Sequence, residues 1–152
     1  GVPGLLVALA DERAFFRTNV ARRLGELGDV TARGGLLAFG KAQVDAIPRE
    51  VAAVVSRDVG YALRWTLRAL LELGPSSELI TLAREALLHP HRDIRDPALR
   101  YAAELPADDS LVEPMLRVQE AKYGWQEGTA REWLEAWKGT PAYERALATL
   151  RT

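Results

Sequence analysis

Apolar residues along this chain recur every three to four positions. Phe16, Val20, Leu24 and Leu27 follow the pattern, and Ile94, Ala98, Ala102 and Leu105 repeat it; this is the spacing of an amphipathic helix with a period near 3.6. Almost nothing alternates with period two, so the pattern predicts an all-α protein without a sheet. Three of the helical stretches are versions of one another: RRLGELG at Arg22 to Gly28, RALLELG at Arg68 to Gly74 and RYAAELP at Arg100 to Pro106. Self-similarity at a regular spacing points to a stack of like units. Their last apolar residues, Leu27, Leu73 and Leu105, with Trp137 as a looser fourth, stand 46, 32 and 32 residues apart. The longer first gap leaves room for one extra helix, expected at about residues 34–44.

Each repeated helix is preceded by another: Pro3 to Leu9, Pro48 to Val55, Ser77 to Leu88 and Ser110 to Lys122. Pro3 and Pro48 suit a first helical turn, where a missing N–H costs nothing. Ser77 and Ser110 are the expected N-caps. Gly28, Gly74 and Gly139 stand where C-terminal caps are needed, and Pro90, Pro106 and Pro141 stop helices. The reading is a single domain over residues 1–152, with helical hairpins at about 3–28, 47–74, 77–106 and 110–138 and a closing helix from Ala142 to Leu150.

The segments LLVALADERAFFRTNVARRLGELGD, Leu5 to Asp29, and LLHPHRDIRDPALRYAAELP, Leu87 to Pro106, resemble HEAT-type repeats: an apolar helix, an Asp-containing turn, then a second helix that opens with Arg and ends near Leu-Gly. The resemblance implies a right-handed α-α superhelix of about four units plus the extra helix and a C-terminal capping helix. It specifies fold well and activity hardly at all. It also implies that turn acids pair with the Arg opening the next helix, as Asp11 with Arg17 and Asp58 with Arg64, His89 taking the acidic position before Arg95.

Aligned on the helix ends, Arg22, Arg68 and Arg100 are equivalent, as are Glu26, Glu72 and Glu104. Each Arg–Glu pair is i, i+4 on the polar face, so stacked units would present parallel rows of both charges. In the second unit Tyr61, Arg64, Trp65, Arg68 and Glu72 combine a flat aromatic with guanidiniums, a mixture enriched at binding hot spots. The competing reading packs Trp65 against a neighbouring hairpin. Trp133 and Trp137 lie one turn apart and are expected to cap the end of the stack; the competing reading turns Trp125 and Trp133 outward as a second docking patch.

Composition narrows the chemistry. The net charge is −1, with 7 basic and 6 acidic residues in 1–56, 7 and 6 in 57–100, and 6 and 9 in 101–152. Non-specific nucleic-acid binders carry a basic excess that is missing here. There are no cysteines, which removes disulfides and thiolate ligands and suits a reducing cytoplasm. No apolar run reaches the roughly 20 residues of a membrane span. The chain opens without Met, which reads as a trimmed chain or part of a longer protein. His89 and His91 flank Pro90, with Asp93 and Asp96 close by; two histidines are half of a zinc set, so turn-capping is expected and no metal or cofactor. No nucleotide-binding or hydrolase motif occurs.

The leading expectation is a non-enzymatic scaffold that binds a protein partner on the surface lined by second helices, through Tyr61, Arg64, Trp65, Arg68, Glu72, Arg22, Arg100 and Glu104. The alternative rests on resemblance to HEAT-like alkylpurine DNA glycosylases, with Trp65, Arg64, Arg68 and Asp58 imitating a DNA groove; the Glu row, which would repel phosphate, opposes it. A phycobilin-lyase-like enzyme is a more distant reading without a cofactor signature.

Overall fold

The computed structural model describes residues 1–11, 16–46 and 53–152, with side chains of the last segment from Asp58 onward. All regular structure among them is helical. The elements are α1 (Val2–Ala10), α2 (Arg17–Leu27), α3 (Arg33–Ala46), α4 (Ala53–Leu73), α5 (Ser77–Leu88), α6 (Arg92–Arg100), α7 (Val112–Glu120), α8 (Gly124–Glu135) and α9 (Pro141–Leu150), with 3-10 turns at Val30–Ala32 and Asp109–Leu111. Consecutive helices pack in pairs, α1 with α2, α3 with α4, α5 with α6 and α7 with α8. A first row, α1, α3, α5, α7 and α9, touches neighbour to neighbour, and a second row, α2, α4, α6 and α8, does the same. Among the described residues no helix is long and apolar enough to cross a membrane.

The core lies between the rows. Helix α5 places Leu79, Ile80, Leu82, Ala83, Ala86 and Leu87 inward, and α4 supplies Leu63, Leu67 and Leu70, each at most 1% exposed. Burying one such leucine is worth about 1.5–3 kcal/mol relative to leaving it in water. Buried Thr66 on α4 donates its hydroxyl to the Ala62 carbonyl at 2.8 Å, so the polar atom is satisfied within the helix. Trp133 and Trp137 stack with centroids 5.5 Å apart and planes 21° from parallel. With Ala142, Tyr143, Leu147 and Leu150 they pack half-buried against the core at its C-terminal end, while Trp125 stays 47% exposed.

Several boundaries differ from the sequence reading. The helix expected as an extra element over 34–44 is α3, which packs along α4 as the first member of the second hairpin. Of the helix expected over Pro48 to Val55, residues 48–52 lie outside the described residues and the rest belongs to α4. The surplus length of the second unit is carried by α4 itself, 21 residues long. The cap of α5 is Ser76, not Ser77: its hydroxyl accepts from Leu79 N at 3.1 Å. Ser110 sits inside a 3-10 turn capped by Asp108, whose carboxylate accepts from Ser110 N at 2.9 Å and is held below the usual carboxylate range by hydrogen bonds from Ser110. Gly28, Gly74 and Gly139 do take positive φ, at 66°, 109° and 83°.

Two glycines set how closely the second row packs. A Cβ on Gly25 of α2 would stand 2.6 Å from Ala69 Cα of α4, and one on Gly60 of α4 would stand 2.5 Å from the Asp93 carbonyl oxygen of α6. Residue 97, four further along α6, is proline and has no N–H to give that carbonyl. The backbone of α4 can therefore approach the oxygen directly, as Cα–H groups do between close helices. Helix α6 is joined to α8 by side chains. Arg95 donates to the carbonyls of His89 and Pro90 at 3.1 and 2.8 Å and to Gln126 Oε1 at 3.1 Å. Gln126, 2% exposed, donates in turn to the Arg92 carbonyl at 2.9 Å. Burial holds the Arg95 guanidinium below its ordinary pKa. In this unit Arg95 bonds the backbone carbonyl of His89, the residue that the resemblance put in the acidic position.

Gly60→Ala is expected to lose about 1–3 kcal/mol in urea unfolding, because the new methyl must displace backbone. Gly34→Ala, which meets nothing within 4 Å, should gain a few tenths to about 1 kcal/mol. Gln126→Leu should lose about 1–3 kcal/mol by stranding Arg95 and the Arg92 carbonyl; a melting curve matching wild type would show that water replaces the amide.

Candidate functional site

The close approach of Gly25 to Ala69 carries residues one helical turn away across the α2–α4 boundary. Arg22 thereby places its Cζ 5.5 Å from the centroid of the Trp65 ring. Arg64 and Arg68, on either side of Trp65 in α4, bring theirs to 5.8 and 5.3 Å. Tyr61, one turn earlier, meets the indole edge-on at 6.3 Å and 81°. Trp65 is half-buried, yet it does not belong to the apolar core or to the half-buried residues packed on it. It does meet the neighbouring hairpin, and it does so through a guanidinium. Tyr61 beside it is 54% exposed.

Around this centre the charges are paired unevenly. Arg22 and Arg23 both approach Glu26, at 3.9 and 3.4 Å. Arg68 donates to Glu72 at 3.2 Å, and that hydrogen bond holds its pKa above the ordinary value. Arg68, Leu71, Glu72, Tyr101 and Glu104 line a cavity of about 490 Å³ between α4 and the end of α6. A smaller cavity, about 210 Å³, lies on the other side, lined by Gly60, Tyr61, Arg64, Asp93, Asp96 and Arg100.

The third Arg–Glu pair of the sequence reading does not form. Helix α6 ends at Arg100, and Tyr101 to Leu105 make a separate turn in which Leu105 N donates to the Tyr101 carbonyl. Glu104 is therefore not one turn above Arg100 on a continuous helix. Arg100 turns back to Asp96, four residues earlier, at 2.9 Å. Of the eight expected site residues, six gather directly at Trp65 or on α4, Arg100 lies across the smaller cavity from Tyr61 and Arg64, and Glu104 reaches the larger one beside Arg68.

Tyr101 and Arg23 also belong to this surface and were not singled out from the sequence; Asp96, read there only beside the His89–His91 turn, joins them. The Asp96–Arg100 spacing is a legible i, i+4 signal; the adjacency of Tyr101 to Arg68 has none. At the α5–α6 turn His89 Nδ1 accepts from His91 N at 2.9 Å and His91 Nδ1 from Asp93 N at 3.2 Å, so both rings serve the turn. Among the described residues no cluster of His, Asp or Glu could hold a metal ion. Arg92 stacks on exposed Tyr123 at 4.8 Å, a smaller aromatic–cation contact near Trp125.

What the Trp65 surface can do chemically is stack an apolar or planar group and donate charge-assisted hydrogen bonds. In comparisons with known proteins, no family model, curated protein or solved structure matches the chain.

A double-mutant cycle of Arg22→Ala and Trp65→Ala should return a coupling of about 0.5–1 kcal/mol for this cross-helix cation–π contact. The same cycle with Arg84, on α5 of the other row, should return zero; equal values would mean that Arg22 does not rest on the ring.

Proposed function

We propose that this chain is a non-enzymatic protein-interaction scaffold, a stack of helical hairpins of the HEAT-like kind, that binds a protein partner on the face of α2, α4 and α6 centred on Trp65. The observation that carries the reading is the placement of Trp65. A tryptophan beside the core serves stability, whereas this ring is covered by three guanidiniums and a tyrosine edge, side chains that can part for a ligand. Trp, Tyr and Arg are the residues over-represented where binding energy concentrates. The two flanking cavities extend the face along the row, as an extended partner segment requires.

The duplex-DNA reading draws on the same arginines. Glu26, Glu72 and Glu104 stand among them, and a continuous phosphate backbone would run over all three. A protein partner meets such a surface with charges of its own and needs no uniform field.

Selection of a phage-displayed peptide library on the intact chain tests the proposal. Binders should emerge whose affinity falls about thirtyfold or more in Trp65→Ala, the scale of a hot-spot residue, while circular dichroism and thermal melting stay near wild type. Collapse of the fold in Trp65→Ala would make the ring structural, and binders indifferent to the substitution would move the site elsewhere.

A further inference from the structure

Among the described residues, Arg64 is the cation at Trp65 without an anion. Arg22 and Arg23 share Glu26, and Arg68 holds Glu72; among the described residues no carboxylate lies within ion-pair distance of Arg64. Its Nε is buried without a hydrogen-bond partner, a costly condition for a charged donor. The smaller cavity into which it faces contains two acids, but both have cations on α6 or in its cap: Asp96 is held by Arg100 at 2.9 Å, and Asp93 lies 4.0 Å from Arg92 and 3.8 Å from His91. An arriving carboxylate therefore meets a surplus guanidinium. Around the ring three arginines, Arg22, Arg64 and Arg68, stand with two glutamates, one of which Arg23 also shares, in a chain whose net charge is −1.

We infer that the occupant of this face is an acidic peptide segment, one carboxylate of which is received by Arg64 in the small cleft between α4 and α6, with the adjoining residue against Tyr61 and Trp65. The inference rests on the proposed binding face and adds the chemistry of its partner. A cavity of about 210 Å³ has room for a carboxylate and its stem, several times the roughly 30 Å³ share of a water molecule. Planar guanidinium suits such an anion better than ammonium because it donates in a fork. The opposite end of the face has the reverse preference. There Glu72 and Glu104 line the cavity beside Arg68, and a second acid on the partner would be repelled. The segment therefore lies in one direction, with its acid at Arg64 and neutral or basic residues toward Arg68. This asymmetry also separates a peptide from a nucleic acid, whose charge is the same at every step.

Fluorescence anisotropy at low salt, using the whole chain, with a labelled peptide of two glutamates followed by six serines tests the inference. The peptide should bind, lose about tenfold in affinity in Arg64→Gln and stay unchanged in Arg84→Gln, and lysines in place of its last serines should tighten binding by an amount that Glu72→Gln removes. If Arg64→Gln fails to fold, Arg64→Lys keeps the charge without the fork and should lose several-fold. No binding at low salt, or binding insensitive to Arg64, overturns the inference, as does a 12-base-pair DNA duplex that binds more tightly with the same dependence on Arg64. Library peptides that need Trp65 but contain no Asp or Glu would sink the acidic partner and leave the binding face standing; absence of any Trp65-dependent peptide would remove the face as well.

Discussion

Helix α4 can lie backbone to backbone with both α2 and α6 only because residues 25 and 60 carry no side chain. The rest of the second row follows from those two contacts. Glycine inside a helix is unfavourable relative to alanine, and here the loss is offset by the close approach it permits. On the α6 side the contact has a second determinant in Pro97, which removes the N–H that would otherwise engage the Asp93 carbonyl. Two residues usually read as helix breakers thus occupy neighbouring helices and together define how those helices meet.

The surface at Trp65 is a consequence of that packing. With Gly25 against Ala69, Arg22 reaches the indole from a different helix, and a local aromatic–cation stretch of α4 becomes a site built by two hairpins. Most of the ion pairs on this face are exposed and contribute little to stability, typically below 1 kcal/mol each. Their effect is on orientation: Glu26 and Glu72 occupy Arg22, Arg23 and Arg68, and among the described residues the pairing leaves Arg64 as the unmatched charge. A chain with nearly balanced acids and bases can in this way present a cationic point without a basic patch.

On the α8 side of α6 the row is held differently. Arg95 gathers two turn carbonyls and a buried glutamine from α8, a set of directional bonds in a partly dry setting where each unpaired group would be costly. The hairpin turns themselves are finished by short-range bonds of His89, His91 and Ser76. The Trp133–Trp137 pair packs with residues of α9 against the C-terminal end of the core.

Much of this was legible in the chain. Helical periodicity, the glycines at positive φ after α2 and α4, and the polar face of α4 with Tyr61, Trp65 and Arg68 depend on interactions within a few residues, which spacing records directly. The capping role of Trp133 and Trp137 was legible for the same reason. The identity of α3 as a hairpin partner was not, because a surplus of residues between two repeats does not say whether it adds a helix or lengthens one. Nor was the loss of the Arg100–Glu104 pair, since a repeat alignment assumes a continuous helix and α6 stops at Arg100. Gln126 and Tyr101 gave no signal at all: each acquires its role from a partner on another helix. What the sequence determined by itself was therefore local, the helices and the side chains each presents outward. The tertiary structure alone decided which of those side chains meet and which guanidinium is left over, because register between helices is set by close approaches at Gly25 and Gly60 that no period along one chain encodes.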